Sequence, residues 1–289
     1  MGIVLRYRGR YTDAVRCFLE SIDISHSPEL FSNRARALGN LGDAYRKLGE
    51  WEKSQDCYKQ ALPLLMEMSD KQGEALTLRS IGIVQLELNE PQRAVHDFEK
   101  AIEAFHNVGN RRWEAGTNLN LGDAYVRLKS YKEALRCFRT ALDTLHKLGD
   151  RHWEAEILLS AGDAYRETGN FPAARTYLNS ALKTFNELNA TPYATRSIVR
   201  IGLLERYMGN HKKAIRYLSD AAARFGSDGD LLSKARTLVE LGSIRRALDD
   251  PNGAHAAFKQ ALEVFESLKS PETADVMQLM TELAAHTPR

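Results

Sequence analysis

The sequence predicts an all-α solenoid of antiparallel helix pairs, and three observations carry that prediction. Glycine recurs at residues 2, 42, 82, 122, 162, 202 and 242, seven times at a spacing of 40. Between those glycines apolar residues follow the three-and-four spacing of helices rather than the alternation of strands. Breaks fall twice in each period, so every repeat holds two helices. A compact enzyme domain has no use for so even a ruler, whereas stacked units must each meet their neighbour in the same way.

The first helix of a repeat carries Leu38, Leu41, Tyr45 and Leu48, then Leu78, Ile81 and Leu88, then Leu121, Tyr125 and Leu128. The second carries Tyr58, Ala61, Leu62 and Leu65, then Phe98, Ala101, Ile102 and Phe105, then Phe138, Ala141, Leu142 and Leu145. Gly49, Gly169 and Gly209 end first helices, where a left-handed residue closes the C-terminus. Pro91 and Pro251 stand where a first turn tolerates a missing N–H. Ser69-Asp70, Gly109-Asn110 and Gly149-Asp150 supply polar turns with N-caps between repeats. The spacing predicts helices of about 18 residues, some 27 Å long.

Small residues set the packing. The ruler glycine is expected to meet Ala94, Ala134, Ala174, Ala214 or Ala254, twelve residues on, so that paired helices approach closely. A second row, Ala61, Ala101, Ala141, Ala181, Ala221 and Ala261, lets the next repeat dock. Cys17, Cys57 and Cys137 share one repeat phase, which puts neighbouring equivalents about 10 Å apart, too far for a disulfide. They read as small packing residues.

The ends differ from the middle. Residues 1–27 form a partial first repeat, six repeats of about 40 residues follow to residue 269, and 270–289 form a capping helix and tail. That helix starts at Ser270-Pro271-Glu272 and puts Val276, Leu279, Met280 and Leu283 on one face, suited to covering the last repeat. An amphipathic partner-binding helix is the alternative. Met1 cuts the first helix of the ruler in half, as in a fragment of a longer chain or a degenerate cap. Val4, Leu5, Val15 and Phe18 on that hairpin would allow two copies to pair end to end.

The 289 residues are 43% hydrophobic and 27% charged, with a formal net charge of +2. That balance gives no electrostatic reason for direct nucleic-acid or membrane binding. No apolar run approaches the roughly 20 residues of a membrane span and no signal-peptide pattern appears, so a cytoplasmic setting is expected. Met1-Gly2 begins like a myristoylation signal, but Arg6 stands where Ser or Thr is required.

Gly, Tyr three on, Ala twelve on, an aromatic sixteen on and Ala nineteen on resemble the tetratricopeptide repeat. Leu41-Gly42-Asp43-Ala44-Tyr45 and Leu121-Gly122-Asp123-Ala124-Tyr125 carry the resemblance best. Ser54 departs from it at the first Ala, and Gln85, Glu205 and Arg245 depart at the Tyr. The long repeat and turns like Leu148-Gly149-Asp150-Arg151 are similar to Pins-type scaffolds. They are also similar to the sensor arms of bacterial regulators of the actinomycete antibiotic regulatory and STAND types. The resemblance implies a right-handed superhelix whose first helices line a concave groove.

Carried onto this chain, the implied groove holds Asn40, Asp43, Arg79, Asn120, Asp123, Asp163, Arg166, Arg196, Arg200, Arg206, Arg236 and Arg246. Its middle is acidic and amide-rich, with Glu156 beside Asn120, Asp123 and Asp163, and its C-terminal third is rich in arginine. Arginines so spaced can fork onto the carboxylates of an acidic peptide, and asparagines can bond an extended backbone. The opposing reading is a solvated inner face of internal Arg–Asp pairs, each worth about 0–1 kcal/mol. Aspartate mostly replaces the Asn that clamps a C-terminal carboxylate in chaperone-binding relatives, which disfavours such tails.

No phosphate-cradling glycine loop, His-Glu-x-x-His or Cys-x-x-Cys pattern occurs. His106 and His146 share a repeat phase and read as helix-surface residues, while Trp113 and Trp153 read as staples of the inter-repeat turns. No catalytic residue, metal ligand or cofactor is expected. The expected function is a non-catalytic module holding a peptide or partner segment in its groove. The alternative is the sensing arm of a larger regulator.

Overall fold

The computed structural model describes residues 1–24, 30–268 and 270–286, and the described residues form helices joined by short turns. The expected boundary after residue 27 and the tail at 287–289 lie outside the described residues, as does residue 269. Two compact units divide the chain, Met1–Trp153 and Glu154–Arg289. Unit 1 runs α1 (Gly2–Tyr7), α2 (Tyr11–Asp23), α3 (Phe31–Leu48), α4 (Trp51–Glu67), α5 (Lys71–Glu87), α6 (Pro91–Asn107), α7 (Arg111–Arg127) and α8 (Tyr131–Leu148). Unit 2 runs α9 (Arg151–Glu167, its first turn in unit 1), α10 (Phe171–Glu187), α11 (Thr191–Tyr207), α12 (His211–Ser227), α13 (Leu231–Ala247), α14 (Pro251–Ser267) and α15 (Thr273–His286). No described helix is long and apolar enough to cross a membrane.

Helix ends obey a 20-residue rule. A residue of positive φ stands at Gly9, Gly49, Ser69, Asn89, Gly109, Lys129, Gly149, Gly169, Asn189, Gly209, Gly229 and Asp249. Gly49 shows the mechanism: its N–H donates to Arg46 O at 3.3 Å and the Glu50 N–H reaches Tyr45 O at 3.0 Å. These bonds satisfy carbonyls that the last turn leaves open. Five of the twelve positions are not glycine, and each carries left-handed strain of order 1 kcal/mol. At several of these turns the next helix is capped from the side chain, as where Asp70 accepts from the Gly73 N–H at 2.9 Å and Asp230 from the Ser233 N–H at 3.1 Å.

Within each hairpin the ruler glycine does not meet chiefly the alanine twelve residues on. A Cβ built on Gly82 would lie 2.6 Å from the Phe98 ring, one on Gly42 2.7 Å from Tyr58 and one on Gly242 2.6 Å from Phe258. Gly162 and Gly202 receive Leu178 and Leu218 in the same way. The expected alanine contact is thus corrected: glycine makes room for the large residue sixteen on. The alanines Ala94, Ala134, Ala174, Ala214 and Ala254 are fully buried beside that contact. Ser54, which replaces the first of them, is equally buried because its hydroxyl donates to Gly42 O at 2.8 Å.

The departures at the Tyr position find polar partners as well, although the Gln85 carbonyl oxygen is buried without one. Gln85 donates to Asp97 at 2.8 Å, and buried Glu205 accepts from Arg175 at 2.6 Å and from Asn210 at 2.8 Å. Arg245 reaches Gly253 O at 3.3 Å. Cys57 and Cys137 are free thiols whose ionisation burial pushes up to about 11, which suits packing rather than reactivity. At the first hairpin Val4 is exposed, but Phe18 is buried and Leu5 and Val15 pack with it against Leu41. Leu5 and Val15 are half-buried, and Ile3, Val4 and Leu19 remain exposed on the same hairpin.

Gly39 lies mid-helix with nothing within 4 Å of where its Cβ would be, whereas Gly82 is filled by a ring. Gly39→Ala should therefore stabilise the fold by about 1 kcal/mol through helix propensity. Gly82→Ala should destabilise it by roughly 1–2 kcal/mol because the ring must move. Urea unfolding midpoints of the two variants should move in opposite directions.

Candidate functional site

The residues expected to line a groove sit on first helices, where the three-and-four spacing leaves polar positions between buried ones. In unit 1, Asn40 turns its amide back to Arg36 O at 2.8 Å, on its own helix. Asp43 accepts from Arg6 at 2.6 Å and from the Tyr58 hydroxyl at 2.8 Å, with Arg46 at 3.7 Å. Burial, then the Asp43 charge, drives the Tyr58 phenol far above its ordinary ionisation. Asn120 and Asp123 are half-buried on α7, and the Asn120 carbonyl oxygen is shielded without a hydrogen-bond partner.

A second group in unit 1 joins successive repeats. Phe105 and Trp113 stack with centroids 6.2 Å apart, and Trp113 meets Trp153 edge-on at 5.4 Å. The Arg79 guanidinium covers Trp113 at 5.1 Å, and Arg112 covers Trp153 at 4.7 Å while donating to Asp150 at 2.6 Å. Gly116 leaves the space that the Trp153 ring fills. The tryptophans thus pack at the inter-repeat turns, where the sequence put them.

In unit 2 four of the arginines expected to face a ligand, Arg200, Arg206, Arg236 and Arg246, pair with carboxylates about one repeat away. Arg200 on α11 pairs with Asp163 on α9, and Arg206 reaches Glu240 on α13 at 2.6 Å. Arg246 on α13 reaches Glu282 on α15 at 3.1 Å, and Arg236 holds Glu272 with two hydrogen bonds of 2.6 and 3.3 Å. Arg166 lies 3.2 Å from Asp163, 2.8 Å from Glu167 and 4.9 Å from the Tyr207 ring centroid. Arg196 stacks over Tyr193 at 5.3 Å. The sequence named these arginines but missed Glu240, Glu272 and Glu282 as their partners. The signal was available as separations of 34, 36 and 36 residues, close to one repeat.

Between α11, α13 and α15 the first-helix face opens into a cleft of about 410 Å³. Val199, Leu203, Val239, Val276 and Leu279 line it with Phe265 at its base, and Arg200, Arg236, Glu240, Glu272 and Asp275 stand round it. The size lies in the range of small-ligand and side-chain sites. Val276 and Leu283 of α15 are buried in the last core cluster, with Leu279 and Met280 packed against it. The capping helix therefore covers the last repeat and also forms one wall of the cleft.

Two carboxylates respond oppositely to this setting. Burial raises Asp163 above the usual carboxylate range, and the charges of Arg200 and Arg166 only partly offset it. Burial also pushes on Glu272, but hydrogen bonds from Arg236 and Ser270 and the Arg236 charge outweigh it and hold the group below its ordinary value. A depressed carboxylate stabilises the fold above its unfolded pKa, and that contribution is lost as pH falls through its folded pKa. Carbon-detected titration should place Glu272 below an ordinary glutamate. Arg236→Met should move its midpoint upward.

A tetratricopeptide repeat family profile matches residues 1–67, 33–106, 113–187 and 193–267. Among curated proteins no sequence relative matches the chain. Solved structures share the fold at low identity. The apo form of RapI is 15% identical, with 93% of this chain and 96% of that one covered at a TM-score of 0.76. A STAND protein with a tetratricopeptide repeat sensor from Pyrococcus horikoshii is 17% identical, with 98% of this chain and 44% of that one covered at a TM-score of 0.67. A Rap protein complexed with Competence and Sporulation Factor is 15% identical, with 95% of this chain and 80% of that one covered at a TM-score of 0.67. With profile matches running along nearly its whole length and helix pairs repeating every 40 residues, the chain belongs to the tetratricopeptide repeat family.

Proposed function

We propose that the protein is a non-catalytic module that holds a peptide or partner segment on its first-helix face, anchored in the unit 2 cleft. The observation carrying this reading is the cleft itself: an apolar hollow of about 410 Å³ walled by three first helices and ringed by charged side chains. An apolar anchor in such a hollow supplies affinity, and polar groups around it supply register. The Rap protein complexed with Competence and Sporulation Factor, which shares the fold, lends support to a binding role for such an array. The organisation proposed is an array over 1–269 with a cap over 270–289, in a cytoplasmic setting.

A second reading makes the array the sensing arm of a longer regulator. Its support is the STAND protein, whose alignment takes in 98% of this chain but 44% of that one.

The test is selection of displayed random peptides on the immobilised chain, followed by affinity measurement on wild type and on Val239→Trp. Tryptophan at Val239 fills the cleft without adding charge. Selected peptides should bind the variant at least tenfold more weakly, the scale of losing about 1.4 kcal/mol of anchor burial. Equal binding by both chains would move the site off this cleft.

A further inference from the structure

Resting on the cleft as the binding site, we infer that its occupant is a basic segment: an apolar side chain flanked by lysine or arginine, with Asp275 receiving the cation. The walls fix the first half of that description. Val199, Leu203, Val239, Val276, Leu279 and Phe265 offer only hydrocarbon to whatever enters, so the anchor is apolar.

The charges fix the second half. Arg200 and Arg236 are the two cations at the cleft, and both are engaged, one by Asp163 and the other by a two-bond fork to Glu272. Of the three carboxylates there, Glu240 accepts from Arg206 and Glu272 from Arg236. Asp275 is exposed in the first turn of α15 and, among the described residues, makes no ion pair or side-chain hydrogen bond. Three carboxylates against two guanidiniums leave the cleft with an excess negative charge, and the uncompensated one is Asp275.

An acidic ligand would have to draw Arg236 from Glu272, loosening α15, and would approach Asp275 with like charge. A basic ligand disturbs neither pair and neutralises the one carboxylate left over. The cleft therefore favours a basic partner, because Arg200 and Arg236 at its edge already carry internal counter-ions, as do Arg206 and Arg246 nearby, while Arg196 stacks on Tyr193 outside the cleft lining.

The experiment is a display library with leucine or phenylalanine fixed at the centre of an otherwise random heptapeptide, selected on the full chain. Lysine and arginine should enrich beside the fixed residue. Binding of the enriched peptides should weaken about fivefold in Asp275→Asn, weaken further in Asp275→Lys, and weaken with added salt. Circular dichroism and unfolding midpoints equal to wild type would certify both variants, whose substitution lies on an exposed side chain. Enrichment of aspartate and glutamate would overturn the proposal, as would basic peptides indifferent to Asp275→Lys, while loss of binding in Val239→Trp kept the cleft as the site. Peptides indifferent to Val239→Trp, or no enrichment at all, would overturn the cleft reading and this proposal together.

Discussion

The seating of a large residue on a glycine sixteen positions earlier is the contact on which the other features of each hairpin depend. Seven glycines take part, and the partner is Phe, Tyr or Leu in each case. The pairing fixes how closely first and second helix approach and leaves the fully buried alanines alongside. Once that distance repeats every 40 residues, the polar positions of the first helices repeat too, and one face of each unit becomes a row of charged and amide side chains.

Electrostatics then works across repeats rather than within them. A guanidinium on one first helix reaches a carboxylate on the next at Arg6–Asp43, Arg206–Glu240 and Arg246–Glu282. Each pair is partly exposed and contributes little stability by itself. Their larger effect is on the field, because each of these pairs is neutral as a whole. Where that compensation is incomplete, as at Asp275, recognition of charge has a place to begin.

Much of the fold was legible because glycine, alanine and the large residues each occupy one phase of a strict period. The glycine contact was misassigned to the alanine because both lie on the partner helix, and only the geometry shows which side chain reaches the vacant Cβ position. Helix ends at Lys129 and Asn189 were opaque, since residues of ordinary propensity take up a left-handed conformation there, whereas Ser69-Asp70, Pro91 and Pro251 had marked the breaks beside Ser69, Asn89 and Asp249. At the candidate site the sequence identified Arg200, Arg206, Arg236 and Arg246 correctly as first-helix residues. The carboxylate partners Glu240, Glu272 and Glu282 were missed although the separations of 34 to 36 residues were there to read, because equivalent positions 40 apart were the ones compared. The sequence could not show that α15 is a wall as well as a cap.

The hollow between α11, α13 and α15 is where the proposed occupant would be held. The most direct test is methyl NMR of the chain labelled at valine and leucine, titrated with a peptide obtained by display selection. Shifts concentrated at Val199, Leu203, Val239, Val276 and Leu279 are the predicted result. Shifts concentrated instead on the second helices, at Leu218 and Leu262, with those five methyls unmoved, would contradict it.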